Sequence, residues 1–390
     1  MRNAPRSDLV DELAATRDHT LRLFDQLTDQ QWQVPYLPSI NPPLWELGHI
    51  GWFQEYWCSR FRHERDPRGS ILPKSDIWFD PRIVPHKERW WINMPKVAEV
   101  REYLSDSLDS TLNALEHQPD TDEGLYFHRL ALFNEQQQVE ALANTWHCLG
   151  YAINEPLWTD DWFPVACNNL RPDTVFAGGL WMLGATERKG FVFDNEKWGH
   201  LVDVKPFEIE MQPVTNAEYF TFISDGGYKR AEFWDANYFA GLQKSGRVLP
   251  TSWRKLEGRI QSRWFGQWKP LEFFAPMLQI SAFEAEAFCK WSNRRLPTEI
   301  EWEYAAGTNE DFEWGDRVWE WTSTPFQPYP GFEPDVGQDF SGTSFGSTRV
   351  VRGGSFATPK GLVNPKFRKF AEPSRDDLFV GFRTCRSISL

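Results

Sequence analysis

Cysteine is scarce: the 390 residues hold five, Cys58, Cys148, Cys167, Cys289 and Cys385. They are odd in number, widely spaced and form no C-x-x-C pair. That excludes a secreted disulfide scaffold and a structural zinc site, and predicts reduced thiols. Positive charge is also in short supply, with 42 Lys and Arg against 55 Asp and Glu and a formal charge of −13. Nucleic acid and anionic membranes repel such a chain, so neither is expected as a partner. No run of eighteen apolar residues occurs, and the start, MRNAPRSDLVDEL, has no apolar signal core; a soluble, cytoplasmic protein is expected. Internal repeats are missing too, which excludes propellers and solenoids.

Aromatic residues are plentiful, at 16% with 21 tryptophans. Disordered chains are poor in such residues, so the chain is expected to fold throughout, as two or three domains at this length. Helical spacing marks the first part. Leu9, Val10, Leu13, Leu21, Phe24 and Leu27 recur mostly every three or four residues after Ser7, a candidate N-cap. A second helix is predicted from Pro43 to about Arg60, a third from Val97 to about Leu115 and a fourth from about Gly124 to Gly150. Four such segments suit an antiparallel bundle. The connection 61–94 is too long for a simple loop and is expected to fold over it. After Pro156 short runs broken by Gly, Pro and Asn take over. Only Asn216–Ser224, behind Thr215 as N-cap, and Ala282–Arg294 read as helices there. Phe207–Met211 and Thr348–Arg352 read as strands, and the boundary falls near 160–185.

Six signatures follow in order in the second half: PVTNAEY (213–219), DGGY (225–228), RRLPTEIEWEYAA (294–306), VWEWT (318–322), VVRGGSF (350–356) and VGFRTC (380–385). In VWEWT the alternation places Trp319 and Trp321 on one face, away from Glu320. In VVRGGSF, Gly353 and Gly354 suit a tight turn or a close backbone approach. Together the six resemble the formylglycine-generating-enzyme-like domain, a variant of the C-type-lectin fold. LGHIGWFQE (47–55) looks like the first metal-histidine motif of DinB-like bundles. FDNE (193–196) and PYPGF (328–332) add features of the sulfoxide synthases of ergothioneine biosynthesis and their selenoneine-forming relatives. The resemblance implies an α+β chain, with a DinB-like four-helix bundle over 1–165 and the lectin-like domain over 186–390. It also implies non-haem Fe(II) and dioxygen, joining a thiol or selenol donor to a histidine betaine, with those small molecules as partners.

Such an iron centre needs three protein ligands with open positions beside them. By the resemblance these are a histidine on the second helix and two, four apart, in an H-x-x-x-H-x-E pattern on the fourth, which i, i+4 spacing sets on one face. His49 matches the first. Asn134 and Gln138 stand at the other two, while Glu135, Gln137 and Glu140 match the motif. Amide oxygens are poor substitutes for imidazole on iron. His128, six residues before Asn134, and His147, nine after Gln138, cannot take over without a register change. His49 by itself reads either as a ligand or as a buried, hydrogen-bonded histidine.

Phe326 occupies the position that the resemblance gives to a catalytic tyrosine, and it has no hydroxyl to donate. Tyr329 is kept, either to orient a histidine-derived ligand or as a buried structural residue. In the loop 367–377, Lys369, Phe370 and Ala371 fall where an Asn-Trp-Asp run would contact substrate, and Arg375 is kept. A lysine repels a trimethylammonium, whereas Arg375 can clamp a carboxylate or join a surface ion-pair cluster with Asp376 and Asp377. The substrate-binding candidates are therefore Gln137, Phe326, Tyr329, Lys369, Phe370 and Arg375. Two readings stay open: a synthase-family member with altered or lost iron chemistry, and a non-catalytic small-molecule-binding or regulatory paralogue.

Overall fold

A computed structural model of the chain describes residues 1–61, 69–153, 166–167, 172–186, 190–338 and 341–388. It divides into two compact units, one holding Met1–Thr145 and the other holding Trp146–Ala152 and Val192–Leu390 along with the first two strands. Among the described residues no helix is long and apolar enough to cross a membrane.

The first unit is built on α1 (Arg6–Asp25), α2 (Pro43–Glu55), α4 (Val97–Glu116) and α5 (Asp122–Leu149), with a short α3 (Ser75–Phe79). Leu9 and Leu13 of α1 are fully buried and pack with Leu115, Leu125 and Leu132, as the helical spacing requires. Ser7 is not the N-cap. The helix begins behind the extended Pro5, the backbone N–H of Arg6 is taken by Asp120, and the Ser7 hydroxyl donates to Asp8. α2 starts on Pro43, where a missing N–H costs nothing, and is buried on nearly every face. Two glycines let its neighbours close in. A Cβ on Gly48 would stand 2.2 Å from the Phe79 ring, and one on Gly51 3.0 Å from Leu104. Beyond Glu55 the helix widens into one π-turn, Tyr56–Arg60, within the stretch expected to be helical.

A buried ion pair ties four helices together. Arg17 of α1 donates through Nε (2.8 Å) and Nη2 (3.0 Å) to Glu135 of α5. The same guanidinium reaches the Leu104 carbonyl of α4 and, at 2.9 Å, Gln54 of α2. Thr20 also donates to Glu135, at 2.8 Å. Of the long connection, residues 69–94 do fold onto the bundle. α3 presents the Trp78 carbonyl to the Trp45 indole and the Phe79 carbonyl to His49, and Asp76 accepts from the Trp52 indole. Residues 62–68 lie outside the described part.

The second unit carries β1 (Thr174–Phe176), β2 (Gly179–Leu183), β3 (His200–Val204), β4 (Phe207–Ile209), β5 (Trp253–Leu256), β6 (Arg259–Trp264) and β7 (Gln267–Pro270). They are followed by β8 (Trp319–Pro325), β9 (Arg349–Gly353), β10 (Lys369–Ala371), β11 (Val380–Gly381) and β12 (Cys385–Ser387). Small sheets run in the orders β1-β4-β12, β5-β6-β7, β2-β3 and β10-β9-β8-β11. In the last, β8 pairs antiparallel with β9 and parallel with β11. The helices α6 (Asn216–Ser224) and α8 (Ala282–Trp291) lie where helical spacing places them, with Thr215 capping α6. Two more, α7 (Ala236–Ser245) and α9 (Glu299–Thr308), fall in stretches that read as irregular. α9 hides from an apolar-periodicity reading because the residues it buries include Glu299, Glu301 and Glu303.

Those acids meet arginines. Arg352 pairs with Glu303 at 2.5 Å, both sealed from solvent. Glu320 takes Arg383 and, at 2.9 Å, the Trp302 indole N–H. Trp319 and Trp321 do share a face of β8, but Glu320 opposite them is equally buried, so this strand is covered on both sides. Gly353 has φ of +103°, a backbone region that side chains disfavour.

Candidate functional site

In the first unit His49 occupies the middle of α2, stacked between Trp45 (ring centroids 4.8 Å, planes 9° apart) and Trp52 (5.7 Å, 22°). Its Nδ1 sits 2.9 Å from the Phe79 carbonyl. A carbonyl only accepts, so Nδ1 carries the proton and Nε2 keeps its lone pair. Burial, the leading cause, lowers the pKa to about 4, and the ring is neutral at pH 7. This is the tautomer of a metal-ligating histidine, oriented by a backbone carbonyl.

Asn134, Gln137 and Gln138 lie on α5, each half-buried. Gln137 turns back on its own helix, its amide nitrogen 3.3 Å from the Phe133 carbonyl. The Asn134 and Gln138 side chains, four residues apart and hence on one face, form no hydrogen bond among the described residues. Glu135, beside them in sequence, is spent on the Arg17 ion pair. The donors this motif offers are therefore one imidazole and two neutral amides. Among the described residues no group of three or more His, Cys, Asp or Glu side chains is arranged to hold a metal ion. Such donors do not fit a three-imidazole iron centre. His128 and His147 do not make up the deficit. His147 donates from Nε2 to the Arg263 carbonyl (3.2 Å) and accepts the Gln279 amide at Nδ1 (2.8 Å), which uses both nitrogens.

In the second unit three of the candidate residues gather around Arg368. Phe326, fully buried, stacks on Phe370 at 4.3 Å and meets Phe345 at 4.8 Å with the rings tilted. The Arg368 guanidinium lies 3.8 Å over the Tyr329 ring and 4.9 Å from that of Phe326. Glu299 accepts from Arg368 (2.9 and 3.1 Å) and from the Tyr329 hydroxyl (3.0 Å). Burial first, then the Glu299 charge, hold the Tyr329 pKa well above its ordinary value, so it remains a phenol. Of the two readings of Tyr329, the structure supplies full partners for the buried structural one. Phe326 closes this cluster as an apolar lid with no hydroxyl to offer.

Lys369 leaves the strand on the side opposite Phe370, and its ammonium lies 4.7 Å over Trp319. Arg375 is held apart from these residues by a two-point pair with Asp377 (2.5 and 2.9 Å). That pair uses Nε and Nη2 and leaves Nη1 for a further acceptor. Asp376 instead takes Arg247 at 2.8 Å. Sequence reasoning missed Arg368 and Glu299. Arg368 sits beside a candidate residue, and Glu299 lies inside the T-x-x-E capping box of Thr298 and Glu301 that was legible.

A helical module carrying one ligand-type histidine, followed by a small-sheet domain braced by buried Arg–Glu pairs, defines a DinB-type protein with a sulfatase-modifying-factor domain. Family models agree: the DinB superfamily matches residues 12–147, and the sulfatase-modifying factor enzyme 1-like domain matches 161–318 and 315–388. The chain is 32% identical to "Hercynine oxygenase" of Mycolicibacterium smegmatis, over 97% of this chain and 98% of that protein. It is 30% identical to "Hercynine oxygenase" of Mycolicibacterium thermoresistibile, over 97% and 94%. "Ergothioneine biosynthesis protein 1" of Schizosaccharomyces pombe is 22% identical, over 93% of this chain and 54% of that protein. The chain belongs to the sulfoxide synthase family of the hercynine oxygenases.

Proposed function

We propose that this chain is a divergent member of that family, one that binds a small histidine-derived zwitterion without the three-histidine iron chemistry. A single observation carries the reading: the two α5 positions that would supply imidazoles hold the amides Asn134 and Gln138. Further support comes from Phe326, a ring without a hydroxyl in a sealed aromatic cluster. Lys369 disfavours a trimethylammonium beside it, while the free Nη1 edge of Arg375 suits a carboxylate. The ligand is then held by charge and shape, with no oxidative C–S or C–Se step.

Protein loaded anaerobically with Fe(II) and desalted is expected to retain well under 0.1 iron per chain. A thermal-shift series with hercynine, histidine, cysteine, γ-glutamylcysteine and a selenosugar then identifies the ligand. At a hundredfold excess over Kd a bound ligand adds about 2.7 kcal/mol of stability. Stoichiometric iron with three nitrogen ligands overturns the reading; so does a flat response to every compound.

A second reading has its own observation. The His49 tautomer leaves Nε2 as a preformed donor, which supports a metal of another kind held by one imidazole and the amide oxygens. Under that reading a divalent ion harder than Fe(II), such as Mn(II), binds the protein and is lost in His49→Gln.

A further inference from the structure

Within the second unit a solvent-open recess of about 430 Å³ is lined by residues of β5 and β6, by the first residue of α6 and by the stretch 272–279. Trp253 pairs with Ser262 across β5 and β6, and Trp264 lies two residues further on, so strand alternation puts two indoles and a hydroxyl on one face. The Arg263 side chain leaves on the other face, where its guanidinium donates to the carbonyl oxygens of Cys148 (2.7 Å) and His147 (3.3 Å). Two amides in the lining have their orientation set by neighbours. Asn216 donates from Nδ2 to the Glu272 carbonyl at 2.8 Å, which leaves Oδ1 over. The Nε2 of His147 meets the Arg263 carbonyl and so carries the proton; its Nδ1 then accepts from the NH2 end of Gln279 at 2.8 Å, which leaves Oε1 over. Both residues are more than nine-tenths buried, and neither leftover oxygen accepts a hydrogen bond among the described residues. Gln279 also holds φ of +56°, a conformation that a residue with a side chain keeps only where its surroundings impose it, and one that recurs at ligand clamps. Glu272, the exposed member of the lining, has no ion-pair partner among the described residues. The unspent groups are thus oxygen acceptors beside indole rings, and a ligand has to bring the donors.

We propose that this recess binds the primary ammonium group of a small amine. Such a group carries N–H donors on every side and a full charge, which suits two amide oxygens and a carboxylate. The indoles cover the alkyl part and favour the cation over a neutral alcohol of the same shape. A quaternary ammonium has no N–H to donate, so a trimethylammonium compound does not suit this site. The formal charge of −13 draws cations towards the chain as a whole. Binding is non-covalent and changes no oxidation state. None of these residues belongs to the candidate site described above, and the recess does not depend on the function proposed there.

The test titrates full-length protein at low salt with n-butylamine and with Nα-acetyl-lysine methylamide, followed by calorimetry and by saturation-transfer NMR. Saturable binding of either supports the site, and the tighter of the two tells a free amine from a lysine side chain. Both n-butanol and tetramethylammonium are expected to bind at least tenfold more weakly. Glu272→Gln and Asn216→Leu should each weaken the amine about tenfold, the loss of one charge-assisted hydrogen bond. Glu257→Gln removes the same charge from the exposed turn between β5 and β6 and should leave binding as it is in the parent. Thermal melts check that each variant is folded; should Asn216→Leu fail to fold, Glu272→Gln, a change at an exposed residue, decides. No saturable binding of either amine, equal binding of n-butanol or tetramethylammonium, or an equal loss in Glu257→Gln and Glu272→Gln would each overturn the proposal.

Discussion

Glu135 belongs to the stretch of α5 that resembles a metal-binding motif, yet its carboxylate is committed to holding the helices together, and Glu135→Gln separates the two roles. The substitution keeps the shape and removes the charge. Arg17 is 2% exposed and would lose the charge of its partner and one of its two hydrogen bonds to that side chain. Thr20 loses a charged acceptor as well. Removing one member of a buried pair costs about 3–5 kcal/mol, because the remaining charge is stranded. For a unit of this size each kcal/mol moves Tm by about 2–4 °C, so the first unit is expected to melt roughly 10 °C lower. Differential scanning calorimetry resolves this if the two units unfold as separate transitions, and a single-probe curve will not. The double variant Arg17→Met with Glu135→Leu should recover much of the loss, since an apolar pair of similar volume removes the stranded charge. A fall under 2 °C in Glu135→Gln, or a double variant weaker than the single one, would refute the view of Glu135 as a structural tie.

Further outcomes are expected. Asn134→His with Gln138→His restores the imidazole set, and anaerobic Fe(II) loading should rise from near zero towards one per chain by metal analysis; no gain would show that His49 is not aligned with these positions. Phe326→Tyr places a hydroxyl against sealed aromatic rings, and an unsatisfied buried hydroxyl costs about 1–3 kcal/mol, visible as a lower denaturation midpoint. His49, His128 and His147 have folded pKa values lowered to about 4, chiefly by burial, from 6.5. Depressed values in bases mean that the unfolded chain binds more protons. Their stabilisation is therefore complete above pH 6.5 and is lost as pH falls towards 4, at up to about 1.4 kcal/mol per pH unit for each histidine. A Tm that stays level between pH 6.5 and 5 would contradict this.

The helices of the first unit were legible because their apolar spacing is regular and their ends are marked by Pro43 and by the turn after Leu149. Where side chains from distant segments decide the outcome, sequence said less. Ser7 looked like a cap, but the helix starts one residue earlier, at Arg6, whose backbone N–H is taken by Asp120, far along the chain. α7 has its own signals, Asp235 accepting from two backbone N–H groups and Gly246 at φ +69°, but they frame a short, mixed-polarity segment that spacing does not flag. In the candidate site the substitutions at 134, 138 and 326 could be read directly. The pairing of Arg375 with Asp377, two residues on, was one of the readings, whereas the commitments of Glu135 to Arg17 and Tyr329 to Glu299 could not be read, since each joins segments far apart in the chain.

The stack of His49 between two indoles also bears on how such a site can erode. Its ring fills space that no amide would fill, and its N–H satisfies the Phe79 carbonyl, so replacement is penalised whether or not a ligand is present. Asn134 and Gln138, half-buried and without hydrogen-bond partners among the described residues, carry no comparable packing task. Mutational pressure on the three positions is therefore unequal from the start. A histidine anchored in this way can outlive the reaction it once served, and its persistence in a sequence testifies to the architecture around it.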